Sequence, residues 1–173
     1  MDLLPQTYLL GLVGLLAIVA VVVGRQLFQV RRDEIKLIEL EKSGISGSRE
    51  ASELYELASV QLRKRLYPQA TATLKQAVKR LSQEPDEARA LIENALGFSL
   101  AAQKEYAAAV IHYKKALRAK SDYPIALNNL AFAQEKLLNE EDAVKLCRRT
   151  LEIDPNNSTA KKRLKRLEKR ISV

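Results

Sequence analysis

The chain repeats itself at a fixed spacing of about 34 residues, and this repetition restricts its fold more than any other feature. The segment ENALGFSLAAQKEYAAAVIHYKKAL recurs one such period later as NNLAFAQEKLLNEEDAVKLCRRTL. A third copy, YELASVQLRKRLYPQATATLKQAV, lies upstream at a slightly longer interval, and the extra residues fall near LSQEPDE, where we expect a loop. Repetition of this kind predicts supersecondary units that stack on their neighbours, about three of them being needed for stability.

Each unit carries one small residue in its first half and another in its second half. The first-half residues are Ala58, Gly97 and Ala131, and the second-half residues are Ala70, Ala109 and Ala143. Helix axes that approach to about 8–10 Å leave room only for Gly or Ala at the crossing point. The pattern therefore predicts two closely packed antiparallel helices per unit. Six glycines and five prolines, beside abundant Ala, Leu, Glu, Lys and Arg, also favour an all-α fold over a sheet.

These residues resemble the tetratricopeptide repeat (TPR), a helix-turn-helix unit of about 34 residues that is used for protein binding. On this resemblance we assign three repeats, to residues 51–84, 90–123 and 124–157, followed by a basic capping helix in 158–173. The early aromatic residue of the family is replaced by Leu54, Glu93 and Leu127, and its late proline survives in register only as Pro155. The second repeat is therefore the least typical at its start.

The amino-terminal segment predicts a membrane anchor. Residues 3–24 carry no formal charge, and as a helix they would reach roughly 33 Å, enough to cross a hydrocarbon core. A cleaved signal peptide is the alternative, but it would require basic residues before the apolar run and a small-residue cleavage site after it. We therefore predict a transmembrane anchor in residues 1–24, with the amino terminus translocated and the rest of the chain on the cytoplasmic or stromal side. Residues 25–50 are predicted to form an amphipathic juxtamembrane helix and the flexible joint SGISGS.

The TPR resemblance implies a binding groove lined by the first helix of each repeat. The positions carried over are Ser52, Tyr55, Ser59 and Leu62, then Leu91, Asn94, Phe98 and Ala101, then Ile125, Asn128, Phe132 and Glu135. Of these, we select Tyr55, Ser59, Leu91, Asn94, Phe98, Asn128, Phe132 and Glu135 as the groove site. Aromatic rings would bury apolar side chains of a ligand, and amides would hydrogen-bond its backbone. The alternative is that Phe98 and Phe132 pack between helices.

The same carry-over argues against an acidic chaperone terminus as the ligand. TPR proteins that bind such a terminus use asparagine and basic residues, whereas the matching asparagine positions here hold Ser59, Phe98 and Phe132. We therefore expect no carboxylate clamp in this groove.

The sequence offers little for catalysis or for a cofactor. The single histidine, His112, is expected to be a surface or inter-repeat residue, and the single cysteine, Cys147, a buried apolar residue in a reducing compartment. One His and one Cys provide no metal-binding cluster, and no glycine-rich phosphate loop is present in the sequence. We predict a non-enzyme with no cofactor, no metal and no small-molecule substrate.

The carboxyl-terminal tail holds most of the chain's net charge of +8. Its basic residues are Lys161, Lys162, Arg163, Lys165, Arg166, Lys169 and Arg170. The first interpretation is a solvated capping helix, and the second is attraction to anionic lipid or to an acidic partner. RNA binding ranks third, because the segment is short and no aromatic residues interleave its charges.

The whole arrangement of anchor, joint, three repeats and basic cap is similar to the small membrane-anchored TPR photosystem I assembly proteins of cyanobacteria and plastids. The phrases LRKRLYPQA and ENALGF are its local features. The resemblance implies a thylakoid assembly or stabilisation factor that binds photosystem I subunits or assembly intermediates. The alternatives are a TPR receptor or scaffold of another membrane system, such as protein import or envelope assembly, and an RNA-binding factor that uses the basic tail.

Overall fold

The computed structural model describes residues 3–43, 50–81 and 84–171, and in these ranges it contains helices and turns but no strand. The chain divides into two units, Met1–Ile45 and Ser46–Val173. The helices are α1 (Leu3–Ser43), α2 (Ala51–Arg63), α3 (Tyr67–Val78), α4 (Asp86–Ala102), α5 (Tyr106–Ala119), α6 (Pro124–Lys136), α7 (Glu140–Ile153) and α8 (Ser158–Ile171). The predicted all-α fold is thereby confirmed.

The first unit is the single helix α1. Its segment Tyr8–Ile38 contains an 18-residue window with a mean hydropathy of 2.3, and the helix is long and apolar enough to cross a membrane. The predicted anchor and the predicted juxtamembrane helix are continuous in α1, since no break separates them. The SGISGS joint lies outside the described residues except for Ser43.

The second unit is a stack of antiparallel helix pairs. Each of α2 to α7 packs against the next helix along the chain, and the first helices of successive pairs also touch, α2 with α4 and α4 with α6. This is the order of a TPR solenoid. Helix α4 begins at Asp86, ahead of the boundary predicted for the second repeat. Asp86 and Glu87 in its first turn favour this early start because negative charge stabilises the amino-terminal end of a helix.

The first two pairs are joined by a buried polar contact. The hydroxyls of Thr71 on α3 and Ser99 on α4 lie 2.8 Å apart, and Nε2 of Gln103 donates a 2.8 Å hydrogen bond to the Thr71 hydroxyl. Ser99 is completely buried, so its hydroxyl requires such a partner. The contact fixes how α4 sits on α3.

The small residues predicted at the helix crossings are all buried. Gly97 has the tightest surroundings, because a Cβ placed on it would lie 2.7 Å from Cδ1 of Tyr113 on the facing helix. Tyr113 is itself fully enclosed. At the equivalent positions the other repeats have smaller side chains opposite alanine, with Leu74 and Ala58 in one core cluster and Cys147 and Ala131 in the other. Repeat two therefore combines the smallest residue with the largest at this crossing.

All three repeats turn from their first helix to their second through a left-handed residue that is not glycine. Arg65, Lys104 and Leu138 occupy equivalent positions, with φ of 59°, 67° and 64°. In repeat three, the N–H of Asn139 donates to the carbonyl of Gln134 and that of Leu138 to Glu135. The same two bonds recur in the other two repeats. This is the Schellman pattern, in which glycine is the usual left-handed residue.

We predict that Gly97→Ala destabilises the domain by about 1–2 kcal/mol, because overpacking against Tyr113 outweighs the better helix propensity of Ala. Tyr113→Leu alone should also destabilise, since it leaves a cavity. The double variant should be more stable than the sum of the two changes indicates, by about 1–2 kcal/mol. Urea unfolding of the four proteins measures this coupling, and simple additivity would show that the two residues do not share the space.

We predict that Leu138→Asn stabilises the domain by about 1 kcal/mol, because Asn tolerates the left-handed region better than Leu. Leu138 is 83% exposed, so little packing is lost. Thermal unfolding should show a melting temperature a few degrees higher, whereas the control Leu138→Ala, which keeps the Cβ strain, should show no comparable rise. Equal effects of Asn and Ala would exclude relief of backbone strain as the cause.

Candidate protein-binding groove

The predicted groove residues lie on α2, α4 and α6, and three apolar side chains at these positions are open to solvent. Leu91 is 41% exposed, Phe98 44% and Ile125 59%. Leu91, Asn94 and Phe98 follow one another at intervals of three and four residues and so share one face of α4. The opposite side of the same helix is buried in the core through Ile92, Leu96 and Leu100. Helix α4 therefore packs with one face and presents apolar groups with another.

The groove residues of α2 are partly buried. Tyr55 packs against the main core cluster, and the hydroxyl of Ser59 donates a 2.8 Å hydrogen bond to the Tyr55 carbonyl. Neither residue carries a formal charge. This end of the groove therefore offers an aromatic ring and a hydroxyl already bonded to its own helix.

The two predicted amide residues are hydrogen-bonded inside the domain. Nδ2 of Asn129 donates to Oδ1 of Asn94 at 3.1 Å, and Nδ2 of Asn128 donates to Oδ1 of Asn157 at 3.0 Å. Tyr123 lies near Asn94, and burial raises the pKa of its phenol because it disfavours the charged form. These bonds hold the amides in fixed positions. Contact of Asn94 or Asn128 with a bound peptide stays a prediction.

Phe132 has different surroundings from Phe98, although the two are equivalent in the repeat. The ring of Phe132 meets Tyr106 edge to face, with centroids 6.0 Å apart, and the guanidinium of Arg163 lies 5.6 Å from its centroid. Nζ of Lys136 lies 5.5 Å from the same centroid. Phe132 is thus partly buried by contacts with α5 and α8, as in the alternative of inter-helix packing, while Phe98 is more exposed.

Glu135 is enclosed by arginines from the capping helix. Its side chain is 10% exposed, and its carboxylate lies 3.3 Å from Nε of Arg163, 2.8 Å from a terminal nitrogen of Arg166 and 3.1 Å from one of Arg170. Arg163 also donates to the carbonyl of Asn128 at 2.9 Å. The carboxyl-terminal end of the groove is therefore occupied by α8.

This contact was missed from the sequence, where Glu135 and the tail arginines were assigned to separate sites. The repeat itself is the signal that would have revealed this contact, because its 34-residue period continues past residue 157. A shift of one period aligns Ala160 with Ala126 and Leu164 with Leu130. Ala160 and Ala126 are both completely buried. Helix α8 thus packs as the first helix of a further repeat would.

The two residues considered for chemistry are both occupied by structural contacts. Nδ1 of His112 on α5 lies 2.6 Å from Oε2 of Glu93 on α4, and Glu93 is buried. His112 is partly exposed, and the partner of its hydrogen bond lies in the same repeat. Cys147 is buried as predicted, and that burial raises the pKa of its thiol, which disfavours the nucleophilic thiolate. No cluster of three or more potential metal ligands occurs among the described residues.

No protein-family model matches the chain. It is 33% identical over 167 residues to the chloroplastic tetratricopeptide repeat domain-containing protein PYG7 of Arabidopsis thaliana, covering 96% of this chain and 55% of that protein. It is 30% identical to the protein ycf37 of Cyanophora paradoxa over 78% of both chains. It is 27% identical to ycf37 of Guillardia theta, covering 98% of this chain and 95% of that protein. The chain thus spans only about half the length of the Arabidopsis protein.

Solved structures with similar folds are TPR domains and related helical repeats. The first TPR domain of RPAP3, bound to the HSP90 peptide SRMEEVD, matches with a TM-score of 0.67 and 20% identity over 73% of this chain and 97% of that one. MamA of Desulfovibrio magneticus matches with a TM-score of 0.73 and 16% identity over 83% and 79%. At these identities the likeness establishes the fold alone.

We predict that Glu135→Gln loosens α8, because three guanidinium groups lose the carboxylate that they share. The arginines are partly exposed, so solvent screening limits the destabilisation to about 1–3 kcal/mol. Hydrogen exchange should accelerate in α8 and remain unchanged in α2. Glu141→Gln, at an exposed position on α7, is the matched control. Unchanged exchange in α8 would mean that Ala160, Leu164 and Leu167 hold the helix without the ion pairs.

Proposed function

Because this chain belongs to the ycf37 family of tetratricopeptide-repeat proteins, we propose that it is a membrane-tethered, non-catalytic factor that assists the assembly or stability of photosystem I. Family membership confirms the resemblance drawn from the sequence. The fold is that of a protein-interaction module. The photosystem partner itself is part of the proposal.

The observation that carries the proposal is the open apolar face of Leu91, Phe98 and Ile125. At the eight groove positions the only charged side chain is Glu135, and its charge is compensated by arginines of α8. Such a surface suits an uncharged, apolar segment, because burial of apolar area provides the affinity. A subunit that is not yet assembled exposes segments of this kind. The acidic peptide SRMEEVD held by RPAP3 is a ligand of the opposite chemistry.

The anchor adds an advantage that the groove alone does not have. We propose that α1 crosses the thylakoid membrane once, with its amino terminus in the lumen and the repeats on the cytoplasmic or stromal side. Arg25, Arg31 and Arg32 follow the apolar run and support this orientation. Confinement to the membrane plane raises the effective concentration of a membrane-embedded partner. A groove of modest affinity then suffices.

The contacts of His112 and Cys147 support the non-catalytic part of the proposal. The histidine is hydrogen-bonded to a buried carboxylate between two helices, and the cysteine is a buried thiol. Neither lies at the groove face. We propose no cofactor and no small-molecule substrate for this protein.

We predict that Leu91→Ala combined with Phe98→Ala lowers photosystem I content several-fold in the native host, while the amount of this protein stays normal. Both side chains are exposed, so their truncation should leave the fold intact. The matched control is Ile111→Ala, which removes an exposed isoleucine from α5, outside the groove. Photosystem I is measured by immunoblotting of its subunits against photosystem II.

A second measurement identifies the complex. The protein is tagged at its carboxyl terminus, membranes are solubilised gently, and the co-migrating proteins are identified on a native gel. Photosystem I subunits in partial complexes are the expected result. Normal photosystem I content in the double variant, or co-migration with a different membrane complex, would contradict the assembly function and favour a scaffold of another system.

A further inference from the structure

Helix α8 separates its side chains into three faces. Ala160 and Leu167 are fully buried, and Leu164 packs beside them against the second core cluster. At about 100° per residue, the three arginines lie together on one flank of this buried face. The four lysines lie on the far side of the helix and are all exposed: Lys161, Lys162, Lys165 and Lys169.

The arginines are used within the fold. Arg163, Arg166 and Arg170 all contact Glu135, and Arg170 also reaches Glu140 at 2.9 Å. Guanidinium groups suit this task because their planar donors match carboxylates. These contacts fix the rotation of α8 about its axis. The seven basic residues of the tail are therefore not one patch, because the arginines pair with acidic side chains while the lysines face outward.

The acidic residue of α8 is bound to a neighbouring helix. It is Glu168, whose carboxylate accepts a 3.0 Å hydrogen bond from Arg148 on α7. Lysines are compact, strongly hydrated charges on flexible stems, which suit a diffuse anionic surface better than a single shaped ligand. Proximity to a lipid surface rests on the proposed anchoring of α1, a helix long and apolar enough to cross a membrane, which would tether the repeats there.

We propose that the lysine face of α8 binds the anionic lipid surface of the membrane, with Lys161, Lys162 and Lys165 as its principal contacts. Each lysine near an anionic surface contributes about fivefold to the equilibrium, or about 1 kcal/mol, and the three together about a hundredfold. Docking through this face restricts the directions in which the groove can point. It is a second attachment beside the anchor, and it does not depend on what the groove binds.

The test uses a dye on the full-length protein in vesicles. Ser158 is exposed and lies on the same side of α8 as the lysines, and the native Cys147 is buried, so Ser158→Cys accepts the dye selectively. The vesicles contain a nitroxide headgroup quencher in phosphatidylcholine, either alone or with about 30% phosphatidylglycerol. We expect quenching only with the anionic lipid, with loss of quenching as salt is raised. A dye at Ile111→Cys on α5 is the reference position.

Two charge-reversal variants decide between the lysine face and net charge. Lys161, Lys162 and Lys165 are changed to Glu in one variant, and the exposed Lys114, Lys115 and Lys120 in the other. Loss of quenching in the first and retention in the second supports the proposal. An equal loss of quenching in both variants, or quenching that is the same with and without anionic lipid, overturns the proposal. A dye at Ser158 that responds to RNA or to an acidic polypeptide but not to lipid also overturns it and assigns the face to that partner.

Discussion

The close approach of two helices within each repeat is the constraint on which the rest of the structure depends. A buried alanine or glycine from one helix faces the other helix at every crossing, and this contact sets the spacing of the pair. In repeat two the ring of Tyr113 lies so close to the backbone of Gly97 that it occupies the space where a Cβ would be. Because the two helices of a pair pack so closely, their remaining apolar faces must be covered by the next pair. The stacking of repeats is therefore a consequence of the packing within each repeat.

The proposed binding surface is a consequence of the same packing. A first helix uses one side for its partner and for the preceding repeat, so its remaining side is left toward solvent. On α4 that side carries Leu91 and Phe98, which are 41% and 44% exposed. The core and the groove are therefore two faces of one helix, and substitutions can alter either one separately. This separation allows one fold to serve many partners.

Much of this architecture could be predicted from the sequence, because the residues that determine it recur at regular intervals. The regular spacing of the repeats and the small residues at the crossings predicted the helix pairs, and the uncharged run predicted the long apolar helix α1. Contacts between residues that do not repeat could not be predicted in this way. Glu135 meets the arginines of α8 only because the register continues past Pro155, and Glu93 meets His112 only because repeat two replaces an apolar position with a carboxylate. Equivalent sequence positions also gave no indication that Phe132 contacts Arg163 and Tyr106 while Phe98 is more exposed.

Helix α8 packs like the first helix of a repeat whose second helix is not among the described residues, so one face of α8 has no packing partner in the described part of the chain. Helix α4, packed on both sides, has nine buried residues, whereas α8 has two. The side of α8 that a further helix would cover carries lysines instead of leucines. An uncovered helix face of this kind could pack against another molecule of the same protein. Lysines on that face repel a second copy and so oppose end-to-end association into filaments. The charge on α8 thus acts against self-association of this protein through that face.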